Sequence, residues 1–362
     1  MEFDYATRLR RIEELMERGS IDALLLSVGP DLAYFTGYQA IASERLTMLV
    51  LRPGEEPLLL VPRLEAPRVA PGPFDLLAWD ETEDPIVLVS RALVGTQRIA
   101  VGDHMWATFV VDLQHAVNAD TWTPASRLTK HLRMLKEPNE IEALRQVAEQ
   151  ADRVAMRIPN EVQFKGSTEH AVSLRVRDML LEEGHDRAEF AIVASGPNGA
   201  SPHHDAGERV IGDGDVIVLD FGGSLRGYKS DTTRTFVVGK PTDKQREVHS
   251  AVLEANTAGR ATVAPGVPCQ EIDRAARKVI EDAGFGKYFV HRTGHGIGLD
   301  VHEHPYIVEG NSMVVESGMA FSIEPGVYLT GEFGVRIEDI VIVTDHGADV
   351  LNESERGLEP VQ

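Results

Sequence analysis

Residues 319–343 read MAFSIEPGVYLTGEFGVRIEDIVIV, and the pattern of this stretch is the strongest indication of the fold. Apolar, β-branched runs flank a central Thr-Gly-Glu turn signal, a pattern that predicts strands returning on themselves. Each side carries an acid where an acid is normally unfavourable: Glu324 closes the run at 319–323, and Glu338 comes shortly before the run at 340–343. A charge inside a core is costly unless it is paired or bound to a metal. The stretch therefore predicts a sheet whose acids face a site with a function.

The residue numbers predict that these acids lie opposite each other. Partners at 324 and 338 (324 + 338 = 662) centre a hairpin on Gly331, and an odd-length turn with a left-handed glycine is common. A second acid pair occurs earlier in the chain, at Asp220 and Asp231. With a tip at Leu225-Arg226, opposing numbers sum to 451, which also places these two aspartates face to face (220 + 231). Acids directly opposite each other destabilise a ladder unless cations neutralise them.

The rest of the 362-residue chain indicates two domains. Residues 1–125 alternate helical and strand patterns, with a predicted hairpin at 46–61, which is typical of an α/β domain. Regular structure is expected to break at 122–124. Residues 126–362 then repeat one order, in which a pair of helices precedes carboxylate-bearing strands. This repetition predicts an α+β domain with pseudo-two-fold symmetry, in which both acid pairs surround one centre.

One histidine lies between the two acid pairs. His295 stands between two glycines in a segment of little regular pattern. Four converging carboxylates repel one another, and two divalent cations would cancel their charge. Carboxylate oxygen with a single imidazole favours manganese, iron, cobalt or zinc over thiolate-selected metals. Two such ions about 3.5–4 Å apart polarise a carbonyl and activate water, so these residues predict metal-dependent hydrolysis of an amide or ester.

Composition excludes several classes of partner. The net charge is −21, so neither nucleic acid nor an anionic membrane is an expected partner. The one cysteine, Cys269, begins a helical pattern and is interpreted as a packing residue. A single cysteine excludes an intrachain disulfide and fits a reducing compartment. The N-terminus carries no apolar signal core, and no run approaches the length of a membrane span. We therefore expect a cytoplasmic protein.

Four segments of the second domain resemble the pita-bread metallopeptidases, the family of methionine aminopeptidase, aminopeptidase P, prolidase and creatinase. They are DFG with SDTTRTF at 220–222 and 230–236, GHGIG at 294–298, IEPGVY at 323–328 and GVRIED at 334–339. The 14-residue interval between the glutamates (338 − 324) and the α/β first domain are similar to the proline-peptide branch. The resemblance implies a creatinase-type N-terminal domain over 1–125 and a pita-bread catalytic domain over 126–362.

The resemblance also implies a set of metal ligands. Asp220 would hold one divalent ion, His295 and Glu324 would hold the other, and Asp231 and Glu338 would bridge them. Manganese is the first expectation for this pair, with cobalt, iron or zinc as alternatives.

The remaining matching residues are expected to act on the substrate. Glu324 would take and deliver a proton, while His203 and His302, as catalytic and substrate-binding residues, would orient the peptide and stabilise the tetrahedral intermediate. Arg336 would help to order the substrate site, and the alternative for it is a charge partner of the acids. Some microbial prolidases hold the dipeptide carboxylate with an arginine just after the His-Glu-x-Pro run, where this chain has Tyr306.

The expected activity is cleavage of the Xaa-Pro bond of dipeptides by a homodimer that acts on small proline-containing peptides. Proline lacks an amide hydrogen and has a fixed φ, so a dedicated pocket is reasonable. The alternative is an Xaa-Pro aminopeptidase that releases the first residue of longer peptides. A metal-free creatinase-like hydrolase and a non-enzymatic binding module are further alternatives, and both are disfavoured because the ligand residues are retained.

Overall fold

The computed structural model describes residues 3–362, and the chain forms two compact units that meet between Arg133 and Met134. The boundary between these units lies eight residues (133 − 125) beyond the division expected from the sequence. The assignment of residues 1–125 and 126–362 to two functional domains stays a prediction. Within the described residues, no helix combines the length and the apolar character needed to cross a bilayer.

The first unit is a mixed sheet with helices. In chain order its elements are α1 (Tyr5–Gly19), β1 (Ala23–Ser27), α2 (Pro30–Thr36), β2 (Met48–Leu51), β3 (Leu58–Pro62), β4 (Asp75–Trp79), α3 (Pro85–Ala92), β5 (Arg98–Val101), α4 (Ala107–Ala116), β6 (Thr121–Pro124) and α5 (Ser126–Arg133). The strand order is β4-β3-β2-β1-β5-β6. Strands β2 and β3 are antiparallel, so the hairpin predicted at 46–61 is confirmed.

One expectation about the first unit was wrong. Residues 122–124 do not break the regular structure but belong to β6, which pairs in parallel with β5 at the edge of the sheet. An edge strand tolerates a proline because a ladder hydrogen bond on its outer side is not needed. The proline therefore marks the end of a strand, which the local pattern alone did not reveal.

The second unit contains two helix pairs, each followed by strands. Its elements are α6 (Pro138–Glu161), α7 (Glu169–Glu182), β7 (Arg187–Ser195), β8 (Val216–Leu225), β9 (Tyr228–Lys229), β10 (Thr232–Val238), α8 (Asp243–Thr262), α9 (Cys269–Asp282), β11 (Gly294–Gly296), β12 (Glu303–Ile307), β13 (Ala320–Ile323), β14 (Gly326–Leu329), β15 (Phe333–Arg336), β16 (Asp339–Thr344), β17 (Gly347–Val350) and β18 (Glu359–Val361). The repeated order predicted from the sequence is confirmed.

The strands of the second unit form two mainly antiparallel sheets. One has the order β18-β10-β8-β7, and the other has the order β12-β11-β13-β16-β17, while β14 and β15 form a separate hairpin. In the first sheet, Ile217 and Leu219 of β8 pack with Val154 of α6 and Val176 of α7 in one buried cluster. Because side chains alternate along a strand, Asp220 projects to the face opposite that core. Strand alternation thus separates the packing side of β8 from its functional side.

The first acid hairpin has a register different from the expected one. Its turn is Arg226-Gly227, and both residues have positive φ (54° and 88°), as a two-residue hairpin turn requires. Asp220 consequently pairs with Thr233, and Asp231 lies outside the ladder, between β9 and β10. The prediction that the two aspartates face each other across the ladder was wrong. The turn uses Gly227, which can adopt a positive φ, and this choice shifts the register by two residues.

The second acid hairpin has the expected register. Ile323 pairs with Asp339 and Gly326 pairs with Arg336, so opposing numbers sum to 662 as predicted. Gly331 at the turn has a φ of 79°, which is the left-handed conformation that favours glycine. The two glutamates of this hairpin lie opposite each other, where the ladder is interrupted between its inner and outer strands.

Candidate metal centre

One cavity of the second unit, about 400 Å³ in volume, gathers all the site residues predicted from the sequence. It is lined by Asp220, Asp231, His295, Glu324, Glu338, His203, His302 and Arg336. The remaining lining residues are Phe190, Ile192, Pro202, His291, Arg292 and Val301. The individual roles implied by the resemblance stay predictions, but these side chains are close enough to act on one small ligand.

The glycines around His295 allow the strands to approach closely. A Cβ atom added at Gly294 would lie 1.9 Å from the Ser322 carbonyl oxygen, and one added at Gly296 would lie 2.2 Å from the His304 carbonyl oxygen. Any side chain at these two positions would push apart β12, β11 and β13. The glycine–histidine–glycine sequence is therefore required to bring the imidazole against the acids.

The imidazole of His295 presents Nε2 to the carboxylates. Its Nδ1 donates to the Gly296 carbonyl oxygen at 3.2 Å, which fixes the tautomer and leaves the Nε2 lone pair free. Nε2 lies 3.2 Å from Glu324 Oε1 and 3.7 Å from Asp231 Oδ2. Burial lowers the pKa of His295 to about 3, so the ring is neutral at neutral pH. A lone pair that faces anionic oxygens at these distances is repulsive unless a cation or a proton lies between them.

The carboxylates of the cavity repel one another. Burial raises the pKa of Asp231 well above its usual range, and the charges of Glu338 and Asp220 raise it further. Burial likewise raises the pKa of Glu338, helped by the charge of Glu324, and it raises the pKa of Glu324 to about 7. The protein alone therefore disfavours the charged forms of these acids, although Arg336 offsets part of the effect.

Divalent cations fit this set of donors. Asp231, His295 and Glu338 each offer one ligand atom, and these three atoms lie within 4.8 Å of one another. Asp220 Oδ1 and Glu338 Oε1 are buried without a hydrogen-bond partner in the described chain, although buried polar atoms normally have one. Oxygen donors with one imidazole suit first-row divalent ions. Cations bound here would satisfy the two oxygen atoms and neutralise the excess negative charge.

Arg336 is fully engaged with the walls of the cavity. Its Nη2 donates to Asp220 Oδ2 at 2.6 Å, its Nη1 to Tyr328 Oη at 3.0 Å, and its Nε to Thr233 Oγ1 at 3.1 Å. Nη1 also donates to the Pro202 carbonyl oxygen at 3.3 Å. These contacts support the ordering role, and they also make Arg336 the charge partner of one acid, which was the alternative. Direct contact with substrate stays a prediction.

His203 and His302 lie at the rim of the cavity. Both residues are exposed, and the ring of His302 meets the ring of His295 edge to face, with centroids 4.2 Å apart. Partial desolvation and the nearby charge of Arg292 lower the pKa of His302, so its ring is neutral at neutral pH. Their position at the rim lets these side chains contact a peptide that enters towards the acids.

Two residues near Arg336 were not assigned from the sequence. His291 Nε2 and Tyr328 Oη are 2.8 Å apart, and the same hydroxyl accepts from Arg336. Burial lowers the pKa of His291 to about 4 and raises the pKa of Tyr328 to about 12, so both are neutral. The only sequence signal that could have identified His291 was its position four residues before the glycine-flanked His295.

The buried Glu169 is a further residue that sequence reasoning missed. Its Oε1 accepts from Ser195 Oγ at 2.7 Å, and its Oε2 accepts from His204 Nε2 at 2.8 Å and Asn198 Nδ2 at 3.1 Å. Glu169 therefore fastens both sides of the loop that carries His203. No local pattern distinguishes it, because an acid in the first turn of a helix is ordinary.

Two family models match this chain. The model of the creatinase/prolidase N-terminal domain matches residues 8–135, and that of metallopeptidase family M24 matches residues 142–345. The second match contains every residue of the predicted ligand set.

Relatives that align over nearly the whole chain agree with these matches. The probable dipeptidase PepE of Mycobacterium tuberculosis (strain H37Rv) is 42% identical over 355 residues, which cover 96% of this chain and 94% of the relative. The prolidase structure from Thermococcus sibiricus has a TM-score of 0.94 at 35% identity and covers 100% of both chains. The X-Pro aminopeptidase structure from Thermotoga maritima has a TM-score of 0.87 at 29% identity and covers 98% of this chain and 99% of that one.

These matches confirm the predicted fold class, an α/β first domain followed by the pita-bread domain, and they confirm the predicted enzyme class. The chain belongs to metallopeptidase family M24 and carries a creatinase/prolidase N-terminal domain.

Proposed function

We propose that this protein is a two-metal Xaa-Pro dipeptidase. The observation that carries the proposal is the buried cluster of Asp231, His295 and Glu338, whose ligand atoms lie within 4.8 Å of one another in a cavity of peptide size. The similarity to a probable dipeptidase and to a prolidase supports the choice of substrate.

In this proposal the five donors divide between two ions. Asp220, Asp231, His295, Glu324 and Glu338 would hold the two ions, with manganese as the first metal to test and cobalt, iron or zinc as alternatives. Bound divalent metals polarise the scissile carbonyl and make hydroxide available near neutral pH.

The side chains around the donors handle the peptide and its protons. Ser322 Oγ donates to Glu324 Oε1 at 3.2 Å, which leaves Glu324 Oε2 to take a proton from the attacking water. The same oxygen then delivers that proton to the proline nitrogen, which leaves as a secondary amine. His203 and His302, at the rim, orient the peptide and donate to the oxygen on which negative charge develops.

An apolar wall faces the same cavity. Phe190, Ile192 and Val301 line it beside the acids, and a proline ring can bury its methylene groups against such side chains. This wall supports a preference for a proline-containing bond, because an Xaa-Ala peptide would fill the same space less completely.

The test is a comparison of three substrates with the manganese-loaded protein. We expect an Xaa-Pro dipeptide to be cleaved faster than the matching Xaa-Pro-Yaa tripeptide, and the Xaa-Ala dipeptide to be cleaved most slowly. A chelator should abolish cleavage, and added manganese should restore it. Preference for the tripeptide would favour the aminopeptidase, and activity that survives the chelator would defeat the two-metal mechanism.

The aminopeptidase is the second candidate because Tyr306 occupies the position where some prolidases carry an arginine. The similarity to an X-Pro aminopeptidase structure keeps this alternative open. The substrate comparison above separates the two activities directly.

We also infer a homodimer and a cytoplasmic location. The likeness to the proline-peptide branch supports the dimer, and the acidic charge with a single cysteine supports the location. Light scattering of the purified protein and fractionation of the producing cell test these two inferences.

A further inference from the structure

Two arginines line the cavity, and only one of them is neutralised by a protein carboxylate. Arg336 is buried and donates to Asp220 Oδ2, to Tyr328 Oη and to Thr233 Oγ1. Its charge and its donors are used to hold the walls together. Arg336 is therefore unable to bind an anionic substrate group without breaking these contacts.

Arg292 has a different environment. It is half-buried, and within residues 3–362 no carboxylate lies at ion-pair distance from its guanidinium. The guanidinium carbon lies 4.4 Å from the centroid of the Tyr306 ring, which is a cation–π contact. A guanidinium stacked on a ring keeps its edge donors available, and these match a carboxylate in a bidentate arrangement.

The backbone on both sides of Arg292 is held by helix α9. Asp273 Oδ1 accepts from Thr293 N at 3.0 Å and from Thr293 Oγ1 at 2.7 Å. Arg277 Nη2 donates to the His291 carbonyl oxygen at 2.8 Å. The residues before and after Arg292 are thus fixed, so the backbone that carries its side chain does not have to be ordered when a ligand binds.

The charge of a dipeptide requires such a cation. The free carboxylate of an Xaa-Pro dipeptide lies one residue from the scissile bond, inside a cavity whose floor is made of acids. Arg336 does not supply this charge, because its donors are used by Asp220, Tyr328 and Thr233. Of the two arginines that line the cavity, Arg292 is the one whose guanidinium is left for this anionic group.

We propose that Arg292, supported by the Tyr306 ring, binds the C-terminal carboxylate of the substrate and so selects dipeptides. This inference rests on the proposed function and deepens it. The Arg292–Tyr306 pair supplies the positive charge at this subsite, although position 306 itself carries no cation. A longer peptide has an uncharged amide at the corresponding place and gains nothing from the guanidinium.

The experiment compares Ala-Pro, its C-terminal amide Ala-Pro-NH₂ and the tripeptide Ala-Pro-Ala as substrates of the manganese-loaded full chain. For Arg292→Gln we expect kcat/KM on the dipeptide to fall about 10- to 100-fold, mainly through KM, since a charged hydrogen-bond pair is lost. The amide and the tripeptide should change by less than about threefold, because they lack the carboxylate next to proline. Arg292→Lys keeps the charge but loses the planar donors, so its kcat/KM on the dipeptide should lie between those of the unmodified protein and of Arg292→Gln.

Arg274→Gln is the matched control, since this exposed arginine of α9 pairs with Glu271 and Glu309 outside the cavity. It should leave all three rates unchanged, and elemental analysis should find equal metal in every variant. Should Arg292→Gln fail to fold, Arg292→Lys and the preference of the unmodified protein for the dipeptide over its amide provide the same readout.

The outcomes separate the two proposals. Equal losses on the dipeptide and its amide, or no loss on either, would overturn the role of Arg292 and leave the peptidase intact. Failure of the unmodified, metal-loaded protein to cleave any of the three peptides would overturn the proposed function and the inference with it.

Discussion

Glu338 and Asp339 are adjacent in the chain and both are buried, yet their carboxylates have opposite surroundings. Glu338 faces other acids, and burial together with the charges of Glu324 and Asp220 raises its pKa. Asp339 is the first residue of β16 and is surrounded by arginines. Two acids that are adjacent in the chain can thus serve opposite purposes.

The surroundings of Asp339 neutralise it within the protein. Arg356 Nε lies 2.7 Å from Oδ2, Arg234 Nη2 lies 3.0 Å from Oδ1, and Arg260 Nε lies 3.5 Å from Oδ2. Burial opposes the charged form, but these cations hold the pKa of Asp339 below its usual range. The protein thus supplies the countercharge of Asp339 from its own arginines, whereas Glu338 faces further acids and keeps one buried oxygen without a hydrogen-bond partner.

Removal of a proposed metal ligand from the cavity should give the largest effect. For Asp231→Ala we expect a loss of bound metal and a fall in kcat/KM of at least about 10²-fold, since even residues behind a ligand cost 10- to 100-fold. Elemental analysis and the dipeptide assay measure both changes, and circular dichroism should show a retained fold. Activity that survives this substitution would contradict the two-metal site.

Removal of the structural acid should mainly affect stability. Asp339→Asn leaves three arginines near a neutral group, so we expect the free energy of unfolding to fall by about 3–5 kcal/mol, as when a buried pair loses one partner. Denaturant unfolding measures it. The matched control is Asp349→Asn on the neighbouring strand, whose pair with Arg145 is partly exposed and should contribute at most about 1 kcal/mol. Equal losses in both variants would remove the contrast.

Lowering the pH should destabilise the region around Asp339, because His249 lies against Arg356, one of the arginines that pair with Asp339. This buried histidine of α8 hydrogen bonds to the backbone of Arg356, and burial lowers its pKa from 6.5 to about 4. The unfolded chain binds the proton more readily, so the native stability is complete above pH 6.5 and is lost as pH falls towards 4. The loss at pH 4 should be about 3 kcal/mol.

His249→Phe removes this titration. Between pH 7 and pH 4, the free energy of unfolding of the variant should therefore fall by about 3 kcal/mol less than that of the unmodified protein, as denaturant unfolding at each pH would measure. Identical pH slopes would show that His249 does not contribute to acid sensitivity.

Neutralising a cavity acid should give the smallest change, of the opposite sign. In chelator-treated protein at pH 8, Glu338→Gln removes one of several repelling charges, so we expect the free energy of unfolding to rise by about 1 kcal/mol. Added manganese should then stabilise the variant less than the unmodified protein, which thermal melts with and without metal would measure. A decrease in the free energy of unfolding without metal would mean that groups of the protein itself already neutralise the acids of the cavity.

The sequence was sufficient where the signal was local. Acids inside apolar, β-branched runs pointed to Asp220, Glu324 and Glu338, and the glycines beside His295 pointed to a close backbone approach. The register of the second hairpin was also predictable, because one glycine at its centre can take the left-handed conformation. The repeated order of helix pairs and strands also predicted the architecture, because each helix and strand has its own local pattern.

Contacts between distant segments were not predictable in this way. The register of the first hairpin depended on which of several glycines forms the turn, and Gly227 was not distinguishable from its neighbours by pattern. Glu169 has an ordinary sequence context, and only the fold brings it to the loop of His203. Such contacts depend on the packing of whole elements, which local propensity does not describe.

By itself, the sequence identified candidate metal ligands, because an acid in an apolar run must be compensated wherever the run folds. The tertiary structure alone decided which charges remain available. It joined Arg336 to Asp220 across 116 residues, surrounded Asp339 with arginines, and left Arg292 stacked on Tyr306 beside the cavity. The physical reason is that a charge is neutralised by its neighbours in space, and strand alternation and packing choose those neighbours.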